Sequence, residues 1–211
     1  MRKKKTLLEN NVKKGKLIGE LIESGLLKSK NVIDAFKKIP RENFVRNEDI
    51  EKAYNNIPLP LMAGATISQP LTVAAMTEAL DATKEYKILE VGTGSGYQAA
   101  ILSLLAKKVI TTEIRKELYN FAKNNLENYT NVKVIHTDGS KGFIEESPYD
   151  RIIVTASAKG VPQPLTDQLK INGIMVIPVG EKMFRIIKTG EKETIKEFMG
   201  YYAFVPLRES K

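Results

Sequence analysis

Residues 88–98 read ILEVGTGSGYQ, and this segment constrains the chain more than any other. Ile88–Val91 suits a short buried strand. Gly92, Gly94 and Gly96 then alternate with Thr93 and Ser95, and the run 97–106 permits a helix. A strand, a glycine turn and a helix in succession form the cradle where an open α/β sheet receives a nucleotide-like ligand. Glycine lets the backbone turn sharply and lets a ligand lie against the main chain.

The register of those glycines narrows the ligand. A dinucleotide fingerprint is G-x-G-x-x-G, with a pyrophosphate on the helix N-terminus. Here the pattern is G-x-G-x-G, and Tyr97 stands where the last glycine would be. Glu90, just before the loop, would repel a pyrophosphate and attract an ammonium group. S-adenosylmethionine, with a ribose and a cationic end, fits better. Val109–Thr112 reads as the next strand and places Glu113 at its end, about twenty residues past the first glycine, where an acid reaches the ribose hydroxyls. A carboxylate can also sit there as a helix N-terminal acid, and the two readings are compatible.

Composition removes other chemistries. The 211 residues include no cysteine and one histidine, His136. Disulfides, thiol catalysis, Ser-His-Asp relays and multi-histidine metal sites are therefore not expected. The apolar fraction of 42% suits a packed core. No run nears the roughly 20 apolar residues that cross a bilayer. The start, MRKKKTLLENN, lacks an apolar segment behind its basic residues, so a cytoplasmic protein is expected. The net charge of +8 is mostly lysine. Lysines cluster at 13–16 and 182–196, without an arginine stripe or interleaved aromatics. Nucleic acid is not the expected partner, although a basic surface attracts carboxylate-bearing substrates.

Helical apolar spacing is present over 6–24 and 32–38, the second stopped by Pro40. Residues 43–54 read as short helix and turn, and 57–68 as a loop. Pro70 opens a helix over 69–80. Strands at 88–91, 109–113, 132–136, 151–155 and 173–178 alternate with helices at 97–106, 115–128 and 164–169. Such alternation implies a parallel sheet with right-handed crossovers. Phe184–Thr189 and Glu197–Pro206 look like an antiparallel edge pair. The expected fold is α/β: doubly wound and Rossmann-like, mostly parallel, with an antiparallel edge and an N-terminal helical cap. One domain is expected, with the cap over 1–60 and the cofactor-binding core over 61–211.

A second segment decides the family. AGATISQP at 63–70, with EVGTGSGYQAA, Glu113, TDGSKG at 137–142, PYDRIIVTASA at 148–158 and QLKINGIMVIPVG at 168–180, resembles the protein-L-isoaspartate (D-aspartate) O-methyltransferase family. The similarity runs in order from IPRENFV at 39–45 to FVPL at 204–207. It implies the S-adenosylmethionine-dependent methyltransferase form of the fold. It also implies methyl transfer to the α-carboxylate of L-isoaspartyl residues in damaged proteins and peptides, followed by succinimide formation off the enzyme.

The resemblance also distributes roles. Ser68 belongs at the reacting centre, although by itself it reads as a helix N-cap. Thr66, Ile67, Ser68, Glu90, Gly92, Thr93, Gly94, Glu113, Ile114, Asp138 and Gly139 would hold the cofactor, with Asp138 accepting from the adenine amino group. Tyr54, Asn56, Thr66, Val205, Pro206 and Leu207 would line the substrate groove. No metal is implied. Three departures stand out: Asn56 where the family commonly has aspartate, Thr137 where glycine is frequent, and a short tail beyond Leu207. A methyltransferase for RNA or a small molecule is the main alternative. The strand end VTASA, lacking the N/D-P-P-Y/F of amine methylation, argues against it. A binding module without catalysis and a nicotinamide oxidoreductase fit less well still.

Overall fold

The computed structural model describes residues 2–210, with side chains from residue 9 onward. Helices α1 (Arg2–Glu23) and α2 (Lys30–Lys38) come first, followed by 3₁₀ turns at Arg41–Phe44 and Asn47–Lys52. Ile39 leaves α2 in an extended conformation, as expected of a residue preceding proline. Two-residue strands β1 (Leu59–Pro60) and β2 (Thr66–Ile67) pair antiparallel, and α3 (Pro70–Leu80) follows with proline in its first turn.

The core alternates β3 (Lys87–Val91), α4 (Tyr97–Ser103), β4 (Lys108–Glu113), α5 (Lys116–Asn125), β5 (Val132–His136), β6 (Tyr149–Val154), α6 (Gln163–Asp167) and β7 (Leu169–Val179). β8 (Lys182–Lys188) and β9 (Thr194–Tyr201) complete a seven-stranded sheet of order β5-β4-β3-β6-β7-β8-β9. β3 to β7 run parallel, and β8 and β9 run antiparallel at the edge. The chain starts at β3, builds outward through β4 and β5, then returns to β6 on the other side. Ligands bind at such a reversal, beyond the carboxyl ends of the strands.

Strand pleat splits the core into two layers. Ile88, Val109, Ile153 and Val176 face the layer shared with α3, α4 and the N-terminal helices. Their neighbours Leu89, Ile110, Ile152 and Ile177 face the other, with Leu165 of α6. Strands apolar on both faces belong to a sheet covered on both sides, which is why the central strands read as unbroken apolar runs. No helix among the described residues is long and apolar enough to cross a membrane.

The fold class agrees with the sequence reading, with local corrections; α4 and α5, for instance, end at Ser103 and Asn125, three residues short of expectation. Residues 57–68 are not all loop, since Leu59 pairs with Ile67 and Pro60 with Thr66. β7 begins at Leu169 rather than 173. Its register with β6 shifts between Tyr149 and Arg151, and Asn172 in that bulge has φ 62°. β9 ends at Tyr201 instead of reaching Pro206. Gly200, at φ 127°, turns the chain away, and Val205–Leu207 lies along Ser157.

Candidate active site

The glycine loop lies over the carboxyl ends of β3 and β4. The N–H groups of Gly92 and Thr93 donate to the Thr112 carbonyl at 2.9 and 3.1 Å. Gly92 has φ 95°, and a Cβ there would lie 2.5 Å from Thr155 Oγ1. No other residue fits both restrictions. Thr155 Oγ1 donates to the Gly92 carbonyl at 2.6 Å, buttressing the loop from β6. Thr93 turns inward, its hydroxyl 2.7 Å from that of Thr111.

Glu113 ends β4, where Oε2 accepts from Gly94 N and Oε1 from Arg115 N, each at 3.0 Å. A carboxylate has about four acceptor positions. One position on each oxygen therefore stays open, in a cavity shared with Gly92, Gly94, Ile114 and Gly139. That arrangement suits a vicinal diol. It also satisfies the N–H that follows Ile114, so the local helix-start role coexists with the binding role.

Glu90 is fully buried, and neither carboxylate oxygen has a hydrogen-bond partner among the described residues. Burial pushes its pKa up to about 8; the nearby Thr111 hydroxyl, which bonds to Thr93 instead, opposes the rise, and the Glu113 charge adds to it. Glu90 lines a cavity with Ser68, Gly92, Gly94 and Gln98. A buried acid without a partner is costly. A cationic group entering this cavity would relieve that cost, so the site fits a ligand with an ammonium.

Asp138 departs from expectation. Its Oδ1 accepts from Ser140 N at 3.0 Å and Ser140 Oγ at 2.6 Å. Its Oδ2 accepts from Ser210 N and Oγ, each at 2.8 Å. Burial acts to raise its pKa, but these four bonds outweigh burial and lower it. All four acceptor positions are thus taken. An adenine amino group cannot be received there until Ser210 moves. The short tail beyond Leu207 thus supplies two of the four bonds to this carboxylate. Gly139 beside it is hemmed in, since a Cβ would collide with Thr112 and Val91.

Ser68 follows β2 and precedes α3, but it does not cap that helix. The N-cap is Gln69, and no side chain closes it. The Ser68 hydroxyl has no hydrogen bond to any described residue, while its carbonyl accepts from Arg41 Nη2 at 2.8 Å. Ser68 and Thr66 line both the Glu90 cavity and a groove of about 500 Å³ shared with Pro58, Leu71, Tyr201 and Phe204. That volume lies in the usual range of small-ligand sites. Ile67 is buried beneath them and lines the Glu90 cavity.

Four of the expected groove residues make other contacts in this structure. The Tyr54 hydroxyl is turned inward onto Glu42. Asn56 Oδ1 accepts from Leu71 N at 3.0 Å, so the amide serves the start of α3. An acceptor oxygen suffices for that bond, which explains why asparagine can stand there. Pro206 and Leu207 line the cofactor-side cavity, and of the three tail residues only Val205 reaches the groove. The backbone of this segment is held by Ser157, whose N–H donates to the Val205 carbonyl and whose carbonyl accepts from Leu207 N, both at 2.8 Å. Thr155, absent from the expected set, lines all three spaces. Its place at the end of a strand beside the reversal point was the available signal. Among the described residues no group of three His, Asp or Glu could hold a metal ion.

Comparison with known proteins gives one answer. The family model described as Protein-L-isoaspartate(D-aspartate) O-methyltransferase matches residues 12–211. A protein-L-isoaspartate O-methyltransferase from Ignicoccus hospitalis is 48% identical over 209 residues, covering 94% of this chain and 99% of its own. A relative of the same name from Flavobacterium johnsoniae is 43% identical, covering 94% and 95%. Among solved structures, a Plasmodium falciparum protein described under the same name, in complex with S-adenosyl-L-homocysteine, superposes with a TM-score of 0.81 at 25% identity. That match covers 92% of this chain and 98% of the other.

Proposed function

The chain belongs to the protein-L-isoaspartate(D-aspartate) O-methyltransferase family, and from that premise we propose how its residues carry the reaction. The enzyme uses S-adenosylmethionine to methylate the α-carboxylate of L-isoaspartyl residues in damaged proteins and peptides. One observation supports the assignment of roles most strongly. The Ser68 hydroxyl, without a partner among the described residues, stands where the groove meets the cavity of Glu90 and the glycine loop.

When bound, S-adenosylmethionine supplies an electrophilic methyl on a positively charged sulfur. Glu113 offers its two open acceptor positions to a diol, and Gly92 and Gly94 leave room for a ligand against the main chain. Glu90 meets an ammonium by giving up its proton. Ile67 on the Glu90 side and Val205 on the groove side add apolar surface around the reacting centre. In such a site, opposite charges that neutralise on reaction are favoured over separated, solvated ions.

The nucleophile needs no activation. A substrate carboxyl has a pKa near 4 and is ionised at neutral pH, so no general base is called for. That suits a chain with one histidine and no cysteine. His136 Nε2 lies 3.2 Å from the Ile114 carbonyl, away from Ser68, and takes no part. What remains is alignment. Ser68 donates its hydroxyl to one carboxylate oxygen and so directs the other. Thr66 and Val205 flank the same opening. The proposed setting is the cytoplasm, with isoaspartyl chains as partners.

Ser68→Ala tests these roles. S-adenosylhomocysteine affinity by calorimetry is expected to stay near that of wild type, while turnover on an isoaspartyl peptide falls by about 10- to 100-fold. Unchanged turnover removes Ser68 from the mechanism.

A further inference from the structure

Arg41 is a buried cation with an unusual set of neighbours. It sits in the 3₁₀ turn Arg41–Phe44, and 1% of its surface is exposed. Nε donates to the Ala53 carbonyl at 2.9 Å and Nη2 to the Ser68 carbonyl at 2.8 Å. Its guanidinium carbon lies 5.0 Å from the centroid of the Tyr97 ring. Among the described residues Nη1 has no partner and no carboxylate pairs with this guanidinium. Tyr97 is itself wedged by Phe36 and Phe44, at centroid distances of 6.5 and 5.6 Å.

Stability does not explain this choice. A buried charge without a counter-ion costs several kcal/mol, and an apolar side chain of similar volume would often serve as well or better. What arginine provides is a rigid planar fork, which fixes two acceptors relative to each other. The acceptors here are Ala53, in the segment that closes the N-terminal cap, and Ser68. A lysine ammonium is a point charge on a flexible stem and does not impose that geometry.

The second part of the argument concerns the hydroxyl. Ser68 Oγ has no hydrogen bond to a described residue, so no side-chain contact among them pins it, and the backbone sets the point from which its χ1 rotamers reach into the site. Beyond Ser68, the backbone is tied to the same segment by Asn56, whose carbonyl accepts from Gln69 Nε2 at 2.9 Å and whose Oδ1 accepts from Leu71 N. At Ser68 itself, the tie is the Arg41 fork.

We propose that Arg41 is a positioning residue for the methyl transfer, setting the Ser68 hydroxyl by gripping the Ser68 carbonyl against that of Ala53. The inference rests on the catalytic reading of Ser68. It places a requirement on the IPRENFV segment at 39–45, far in sequence from the site. The Tyr97 ring is the backstop of the device. It holds the guanidinium from the side of the glycine-loop helix, linking the reactive serine to the element that carries the cofactor loop.

The test is a double-mutant cycle in the full chain with Arg41→Lys, Ser68→Ala and the double variant, assayed with an isoaspartyl peptide at saturating cofactor. Arg41→Lys keeps the charge and loses the fork. It is expected to lower kcat by about 10- to 100-fold, with S-adenosylhomocysteine affinity and peptide KM within about twofold of wild type. In the Ser68→Ala background the same change is expected to alter kcat by less than about twofold, because the two residues act as one unit. If Arg41→Lys does not fold, Tyr97→Leu, which removes the backstop, takes its place in the same cycle. A folded variant with wild-type kcat, or equal losses in both backgrounds, overturns the inference alone. A wild-type enzyme inert on the peptide overturns the functional reading and this inference with it.

Discussion

The backbone N–H of Gly94 donates to the Glu113 carboxylate at 3.0 Å, so the glycine loop and the acid that ends β4 form one hydrogen-bonded unit. Removing the carboxylate takes away the proposed diol contact and one support of the loop together. Glu113→Ala is therefore expected to raise KM for S-adenosylmethionine by about 10- to 100-fold and to lower kcat less, because such contacts hold ground and transition states alike. A loss confined to kcat, with cofactor affinity intact by calorimetry, contradicts the assignment.

Glu90 is expected to make the enzyme sensitive to pH in two ways. Burial carries its pKa up to about 8 in the folded protein, against about 4.3 in an unfolded chain. Between those values the folded state keeps a proton that the unfolded state has lost. Stability without cofactor therefore falls as pH rises through that window and levels off above it. Glu90→Gln is expected to flatten the dependence of Tm on pH. Cofactor affinity should move the other way, rising toward pH about 8, since a neutral acid cannot pair with an ammonium. Calorimetry in two buffers of different ionisation enthalpy is expected to record proton release on binding at neutral pH. No release would place the ammonium elsewhere.

Two glycines with positive φ separate conformational strain from collision. Gly64 has φ 71° with nothing within 4 Å of a Cβ, and Gly92 has φ 95° with Thr155 Oγ1 in the way. Gly64→Ala is expected to cost about 1 kcal/mol and leave cofactor affinity alone. Gly92→Ala is expected to cost at least about 2 kcal/mol and to abolish measurable S-adenosylhomocysteine binding. Denaturant unfolding and calorimetry on the two variants give the comparison. Equal effects would show that Thr155 does not constrain the loop.

Asp138 and Ser210 give the tail a measurable role. Ser210 donates to Asp138 Oδ2 through both its N–H and its hydroxyl. If that oxygen is to receive the adenine amino group, the tail competes with the cofactor. A chain ending at Glu209 is then expected to bind S-adenosylhomocysteine about tenfold more tightly, the equivalent of one charge-assisted hydrogen bond. Weaker binding by the shortened chain would mean instead that the tail closes over the ligand.

Most of the sheet was legible in the sequence because its signals are local. Val109–Thr112 and Arg151–Thr155 are short apolar or β-branched runs, Pro70 marks a helix start, and the glycine loop announces the reversal point. Errors fall where a partner distant in the chain decides. Two residues such as Leu59–Pro60 become a strand only because Thr66–Ile67 returns beside them. Ser68 reads as a cap until the structure places Gln69 there. Asp138 reads as an open acceptor until Ser210, 72 residues on, folds back onto it. Arg41 passed without remark because its partners, Ala53 and Ser68, lie 12 and 27 residues away. Burial of a cation leaves no mark on a linear pattern.

The central claim is methyl transfer to an isoaspartyl carboxylate, and one assay addresses it directly. Purified enzyme is incubated with methyl-labelled S-adenosylmethionine and either of two peptides, identical except that one residue is L-isoaspartyl in the first and L-aspartyl in the second. Base-labile label is expected in the isoaspartyl peptide alone. Label in neither peptide, or equally in both, would contradict the account.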